Sequence, residues 1–97
     1  MTNEKVIRLF LSGKQGKTPN RKIVYGCYIA EGRTLQTASN ILFNYNTKIA
    51  KLEGNILYLN KDKYSVTTTK IQNKISYIAK DMGLVVIKVH EEELELI

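Results

Sequence analysis

Gly13-Lys14-Gln15-Gly16-Lys17-Thr18 ends in the Gly-Lys-Thr with which a phosphate-cradling loop closes. Such a loop holds a nucleotide through successive backbone N–H groups and the dipole of the helix that follows. It also needs a glycine at a fixed distance before the lysine, and the residue at that distance from Lys17 is Leu11. Pro19 and the polar run to Lys22 put more loop where the helix should start, so no nucleotide site is expected. What remains is Lys14, Lys17, Arg21 and Lys22 on a flexible, glycine-bearing loop. That suits an arm contacting nucleic-acid phosphates, against the plainer reading of a solvated loop whose lysines keep the protein soluble.

A second constellation is Lys61, Lys63, Tyr64, Lys70 and Lys74. Lys70 and Lys74 are four apart, hence neighbours on one face of a helix, and Lys61 and Lys63 stand just before it. Together they predict a basic ridge. Tyr45, Tyr58 and Tyr64 add base stacking where their rings are open, although a strand tyrosine more often lies half-buried against its sheet.

His90 precedes Glu91, Glu92 and Glu93, which raises the question of a metal or an acid/base pair. Neighbours in a strand point to opposite faces, so this run does not gather three ligands round one ion, and a surface histidine at a strand end is the expectation. Cys27 has no Cys-x-x-Cys partner, and a cysteine in a β-rich run reads as a small buried hydrophobe. A nucleophile paired with His90 is the only catalytic alternative. No enzyme, metal or cofactor is expected.

These residues need elements to position them. Lys5–Leu11 is rich in β-formers and reads as a strand, Gly13–Asn20 as a loop and Lys22–Ala30 as a second strand. Gly26 marks a bulge within that strand, and Glu31-Gly32-Arg33 turns the chain into a short return strand over 34–38. Ser39-Asn40 is a further turn region. Ile41–Leu52 alternates as one long strand, with Phe43, Tyr45, Thr47 and Ile49 on one face. Glu53-Gly54-Asn55 turns it back into Ile56–Asn60, a hairpin. Ile71, Ile75, Ile78 and Met82 then form one apolar stripe on a helix over Val66–Met82, capped by Ser65, Thr67 or Thr68 and closed by Gly83. Leu84–His90 reads as a last strand, buried on both faces for part of its length, which the tail from Glu91 either extends or leaves frayed. The prediction is α+β: an antiparallel sheet of five to six strands with one main helix across it.

The 97 residues suit a single globular domain, with 91–97 as an acidic extension, and 43% hydrophobic and 25% charged residues match a folded chain. No apolar run reaches the roughly 20 residues that span a bilayer, and no export leader is evident, so a reducing bacterial cytoplasm is the expected home. The formal charge of +6 is segregated. Fourteen Lys and Arg face four Asp and Glu over residues 1–80, a balance of +10, whereas one Lys faces five acids over 81–97, a balance of −4.

Asn44-Tyr45-Asn46-Thr47-Lys48-Ile49-Ala50, then Lys63-Tyr64-Ser65-Val66-Thr67-Thr68-Thr69-Lys70 and Gln72-Asn73, resemble a family of small uncharacterised bacteriophage proteins. Its members carry a Tyr-x-Thr-x-Ile-Ala strand, a hairpin return and a Tyr-Ser-x-Thr-Thr helix entry. The similarity covers about residues 41–75. Where relatives carry Gly and His this chain has Asn46 and Ile71, so no histidine chemistry carries over. The resemblance implies a phage setting in a bacterial host and no mechanism. With the charge, it leads to a basic phage accessory protein that binds RNA or a host ribonucleoprotein, in the manner of an anti-defence, anti-CRISPR-type inhibitor. The alternative is a protein-only module that binds a host protein, or itself as a homodimer, through a sheet edge.

Overall fold

The described residues of the computed structural model are 2–18, 21–25, 28–32, 35–45 and 47–97, with side chains described for all of these except 21–25 and 28–32. In chain order the elements are α1 (Asn3–Leu11), β1 (Arg21–Tyr25), β2 (Tyr28–Gly32), β3 (Leu35–Ala38), β4 (Ile41–Asn44), β5 (Thr47–Glu53), β6 (Ile56–Asn60), α2 (Val66–Asp81), β7 (Val85–Val89) and α3 (Glu91–Leu96). The class is α+β, as the sequence predicts. The main sheet runs β3-β4-β5-β6-β7. It is antiparallel up to β6, whereas β7 pairs with β6 in parallel, so the sheet is mixed. A parallel pair needs a crossover, and α2 supplies it.

The first correction is Lys5–Leu11, which is a helix. Val6, Ile7, Phe10 and Leu11 are all buried, and their spacing makes one helical stripe. The Thr2 hydroxyl accepts from the Lys5 N–H at 3.3 Å and caps the first turn, a contact that β-propensity does not register. α1 lies beside α2 on one face of the sheet. Their buried side chains meet Leu35, Leu42, Ile49, Ala50, Leu57 and Leu59 in a single core.

The stretch expected as one strand over 22–30 is two, β1 and β2, paired as a hairpin apart from the main sheet. Gly26, Cys27 and Arg33 fall outside the described residues, whereas Glu31 and Gly32, expected in a turn, are paired within β2. The long strand over 41–52 is also two. β4 and β5 pair with each other from Asn44 and Thr47 onward, and Tyr45 between them takes a left-handed φ of 54°. An aromatic residue seldom adopts that conformation, so its strand propensity conceals the turn. A bulge where the β4–β5 register shifts lets both Ile49 and Ala50 be buried, against simple alternation. The β5–β6 hairpin forms as predicted, with Gly54 at φ 59°.

α2 forms with Ser65 as its cap, the hydroxyl accepting from the Thr68 N–H at 3.2 Å, and with Gly83 at φ 80° just beyond its end. Ile71, Ile75 and Ile78 are buried, while Met82 at the cap is exposed. β7 is not buried on both faces. It is the outer strand, with Val85 and Ile87 exposed, and its run of β-branched residues reflects pairing and not enclosure. The tail neither extends β7 nor frays. It folds as α3, where the His90 N–H donates to the Glu93 carboxylate and Leu94 is buried.

Candidate functional site

α2 packs one face on the core, and on its flank Thr69, Asn73 and Ser76 follow at helical spacing. Opposite them the chain leaving β6 supplies Lys61 and Lys63, and β7 supplies Lys88. These six side chains, with Gln72 and part of the β6 backbone, line a cleft of about 180 Å³. It opens where β6 ends and α2 begins. The N-terminal turn of α2 holds no acidic residue, so its partial positive charge adds to that of the lysines.

Asn60 is the fully buried strut beneath this corner. Its side-chain amide donates to the Lys48 carbonyl at 2.8 Å and to the Tyr64 hydroxyl at 3.0 Å, and its side-chain oxygen accepts from the Asp62 N–H at 2.8 Å. Gln72 reaches across from α2 and donates to the carbonyls of Asn60 and Asp62 at 2.8 and 2.9 Å. The segment carrying Lys61 and Lys63 is therefore fixed before any ligand arrives. A buried amide network of this kind is stable only while every member keeps its partners.

Asp62 turns the other way. Its carboxylate accepts from His90 Nδ1 at 2.5 Å and from the Glu91 N–H at 3.1 Å, which fastens the start of α3. Tyr64 donates its hydroxyl to Glu91 at 2.5 Å. Burial raises the Tyr64 pKa first, and the Glu91 contact raises it further. α3 lies over the sheet face opposite α1 and α2, where Glu95 pairs with Lys48 at 3.3 Å and the Ile97 main-chain oxygen accepts from the Lys51 ammonium. The acidic end therefore neutralises Lys48, while Lys51 is paired with Glu53 of its own strand at 3.5 Å. Among the described residues, Lys61, Lys63, Lys70, Lys74 and Lys88 are in no ion pair.

The hydrogen bond from His90, and next that from the Glu91 N–H, hold the Asp62 carboxyl below the usual carboxylate range. The unfolded chain thus takes up this proton at a higher pH than the folded one. The stabilisation is complete above the ordinary value of about 4 and fades as pH falls through the lower, folded value. Asp62→Asn is accordingly expected to lower the melting temperature at about pH 7 and to have little effect at about pH 2. Equal losses at both, read by circular dichroism, would assign the effect to packing instead.

The predicted site residues do not all converge. Lys61 and Lys63 share the cleft, and Tyr64 stands beside it with its ring half-exposed and its hydroxyl engaged. Lys70 and Lys74 are exposed on α2 but do not line the cleft. The glycine-bearing arm is not free over its described part. Thr18 is buried and its N–H donates to the Leu35 carbonyl, Thr37 donates to the Gly16 carbonyl, and Lys17 bridges to Gln36. The run Gly16–Thr18 is an edge cover for β3, so the threonine of its Gly-Lys-Thr is structural. Lys14 sits at the end of α1 near Lys5 and Arg8. Arg21 and Lys22 lie on β1, their side chains outside the described set. Lys17 pairs on the outer side of β3 and Lys88 lies on β7, five strand spacings away, so about 24 Å of sheet separates them and the arm and the cleft are separate surfaces.

Thr69, Asn73, Ser76 and Lys88 line the cleft and are not among the site residues expected from the sequence. Thr69, Asn73 and Ser76 carry a visible signal, the polar stripe at i, i+4, i+7. Lys88 carries none, because it stands in a strand expected to be enclosed. His90 is the exposed histidine expected at the strand end, its ring bonded to Asp62, and no hydroxyl or thiol bonds to that ring among the described residues. No cluster of three or more His, Cys, Asp or Glu among the described residues can hold a metal ion, and none of the described helices is long and apolar enough to cross a membrane.

Residues 12–84 match the model of a family of unknown function, DUF8033. The match runs from the end of α1 through β6 and α2, and the chain belongs to this family. No curated protein and no solved structure matches the chain.

Proposed function

We propose that this DUF8033 member binds RNA, free or within a host ribonucleoprotein, through phosphate contacts made from the α2 side of the molecule. One observation carries the reading: the lysines of the cleft and of the outer face of α2 have no acidic partners among the described residues, whereas on the opposite face Glu95 of α3 is committed to Lys48 and Glu53 to Lys51. Unpaired ammonium groups on a pre-set surface are what a polyphosphate backbone needs, and counterion release makes such binding fall steeply with salt. Lys61, Lys63 and Lys88 contact phosphates in the cleft, Lys70 and Lys74 extend the track, and the exposed rings of Tyr77 and Tyr64 offer bases a stacking surface. The resemblance of residues 41–75 to small phage proteins supports a setting in the bacterial host cytoplasm and an anti-defence role against RNA-guided complexes. The protein acts by occupancy, as a binder and not an enzyme.

Purification from a bacterial host without nuclease tests the reading directly. An ultraviolet absorbance ratio typical of nucleic acid at low salt, collapsing at high salt, is the expected result. A protein-like ratio throughout would overturn RNA binding and direct attention to the open β7 edge as a protein-docking strand.

A further inference from the structure

The Val85 N–H donates to the Asn55 carbonyl at 2.9 Å, and the Val89 carbonyl accepts from the Lys61 N–H at 2.7 Å. Residues 85, 87 and 89 therefore turn their main-chain groups toward β6. Successive residues of a strand direct these groups to opposite edges, which leaves the N–H and C=O of Val86 and Lys88 facing outward. No strand among the described residues pairs with them. The other edge of the same sheet is closed, because Gly16–Thr18 bonds along β3 and covers it. Val86 packs toward the core, so Val85 and Ile87 alternate onto the opposite face, where they are 50% and 39% exposed. Open main-chain groups beside exposed apolar side chains are a template for a further strand.

The strand complements itself. A second β7 running antiparallel must meet outward groups with outward groups, so the pair can be centred on Val86, Ile87 or Lys88. Centring on Lys88 sets two ammonium groups directly opposite each other, which is repulsive. Centring on Val86 opposes Lys88 to Leu84, whose N–H is already given to the Ala79 carbonyl at 2.9 Å. Centring on Ile87 opposes Val86 to Lys88 in both directions and satisfies every outward group of both strands. It also sets Ile87 against Ile87 and Val85 against Val89, so each pair on that face is apolar.

We propose that β7 pairs antiparallel with β7 of a second copy of this chain, centred on Ile87, and joins the two sheets across a two-fold axis. The axis stands perpendicular to the joined sheet, so both α2 helices lie on the same side of it. The contact does not depend on RNA binding.

The test is the mass of the full chain in solution, freed of nucleic acid at high salt and followed by sedimentation equilibrium from about 1 µM to about 1 mM. The mass is expected to rise with concentration from one chain to two. Ile87→Lys, at an exposed position, sets two charges face to face on the axis and should weaken the dimer at least about tenfold. Lys88→Pro removes an N–H that its own chain does not use, so it should block pairing and keep the β6–β7 ladder. Lys88→Gln keeps that N–H and should dimerise within about threefold of the unaltered chain. Far-ultraviolet circular dichroism checks that each variant folds, and either blocking variant decides alone if the other does not. A one-chain mass at every concentration would overturn the proposal. A dimer undiminished in folded Ile87→Lys or Lys88→Pro would place the contact elsewhere and overturn it too, as would loss of the dimer in Lys88→Gln, which would assign it to the ammonium group.

Discussion

Replacing Lys61, Lys63 and Lys88 together by Gln is expected to weaken RNA binding by about 100-fold at about 0.1 M salt, and to make the plot of log affinity against log salt shallower by about 2. Each phosphate contact on a single strand contributes roughly 0.7 to that slope, and three are removed. All three side chains are exposed, so the fold should lose no more than about 0.5 kcal/mol. Lys48→Gln with Lys51→Gln is the matched control. Both lysines lie beneath α3 and are engaged by Glu95 and the Ile97 oxygen, so their loss should change affinity by less than about threefold. Effects of the two sets in proportion to the three and two charges removed, read in anisotropy titrations, would mean that binding follows net charge alone, and the cleft would then have no special part.

Phe10→Ala is expected to cost about 3–5 kcal/mol, a large share of the roughly 5–15 kcal/mol that holds a domain of this size. Phe10 is 2% exposed and packs from α1 into the core shared by the sheet and α2. Small domains shift by roughly 4–8 °C per kcal/mol, so the melting temperature should fall by about 12–40 °C. Phe43→Ala, on the half-open face of β4, should cost clearly less. A loss below about 1 kcal/mol for Phe10→Ala, measured by urea unfolding, would mean that α1 does not close the core.

Some of this architecture is legible residue by residue. Ser65, the Ile71, Ile75 and Ile78 stripe, and Gly83 define α2 completely, because its cap, apolar face and stop signal are all local. Gly54 likewise discloses the β5–β6 hairpin. α1 is harder, since Lys5–Leu11 satisfies a helical and a strand pattern almost equally, and only the core it meets selects between them. Tyr45 hides a turn because its propensity favours the strand that it interrupts. Glu93-Leu94-Glu95-Leu96 alternates like a strand, yet the contacts of its start with Asp62 and the burial of Leu94 make it a helix.

The sequence by itself determines the basic body, the acidic end, the α2 helix with its cap, and the α+β class, since each depends on composition or on residues within a few positions of one another. The tertiary structure alone decides which lysines act together. Lys61 and Lys88 are distant in the chain and meet because α2 carries it across to a parallel β7, a pairing fixed by burial of the apolar face of α2. It also decides that α3 covers Lys48 and Lys51 and leaves the cleft open. Alternation along a strand tells which residues share a face, but only the packed partner determines which face is covered.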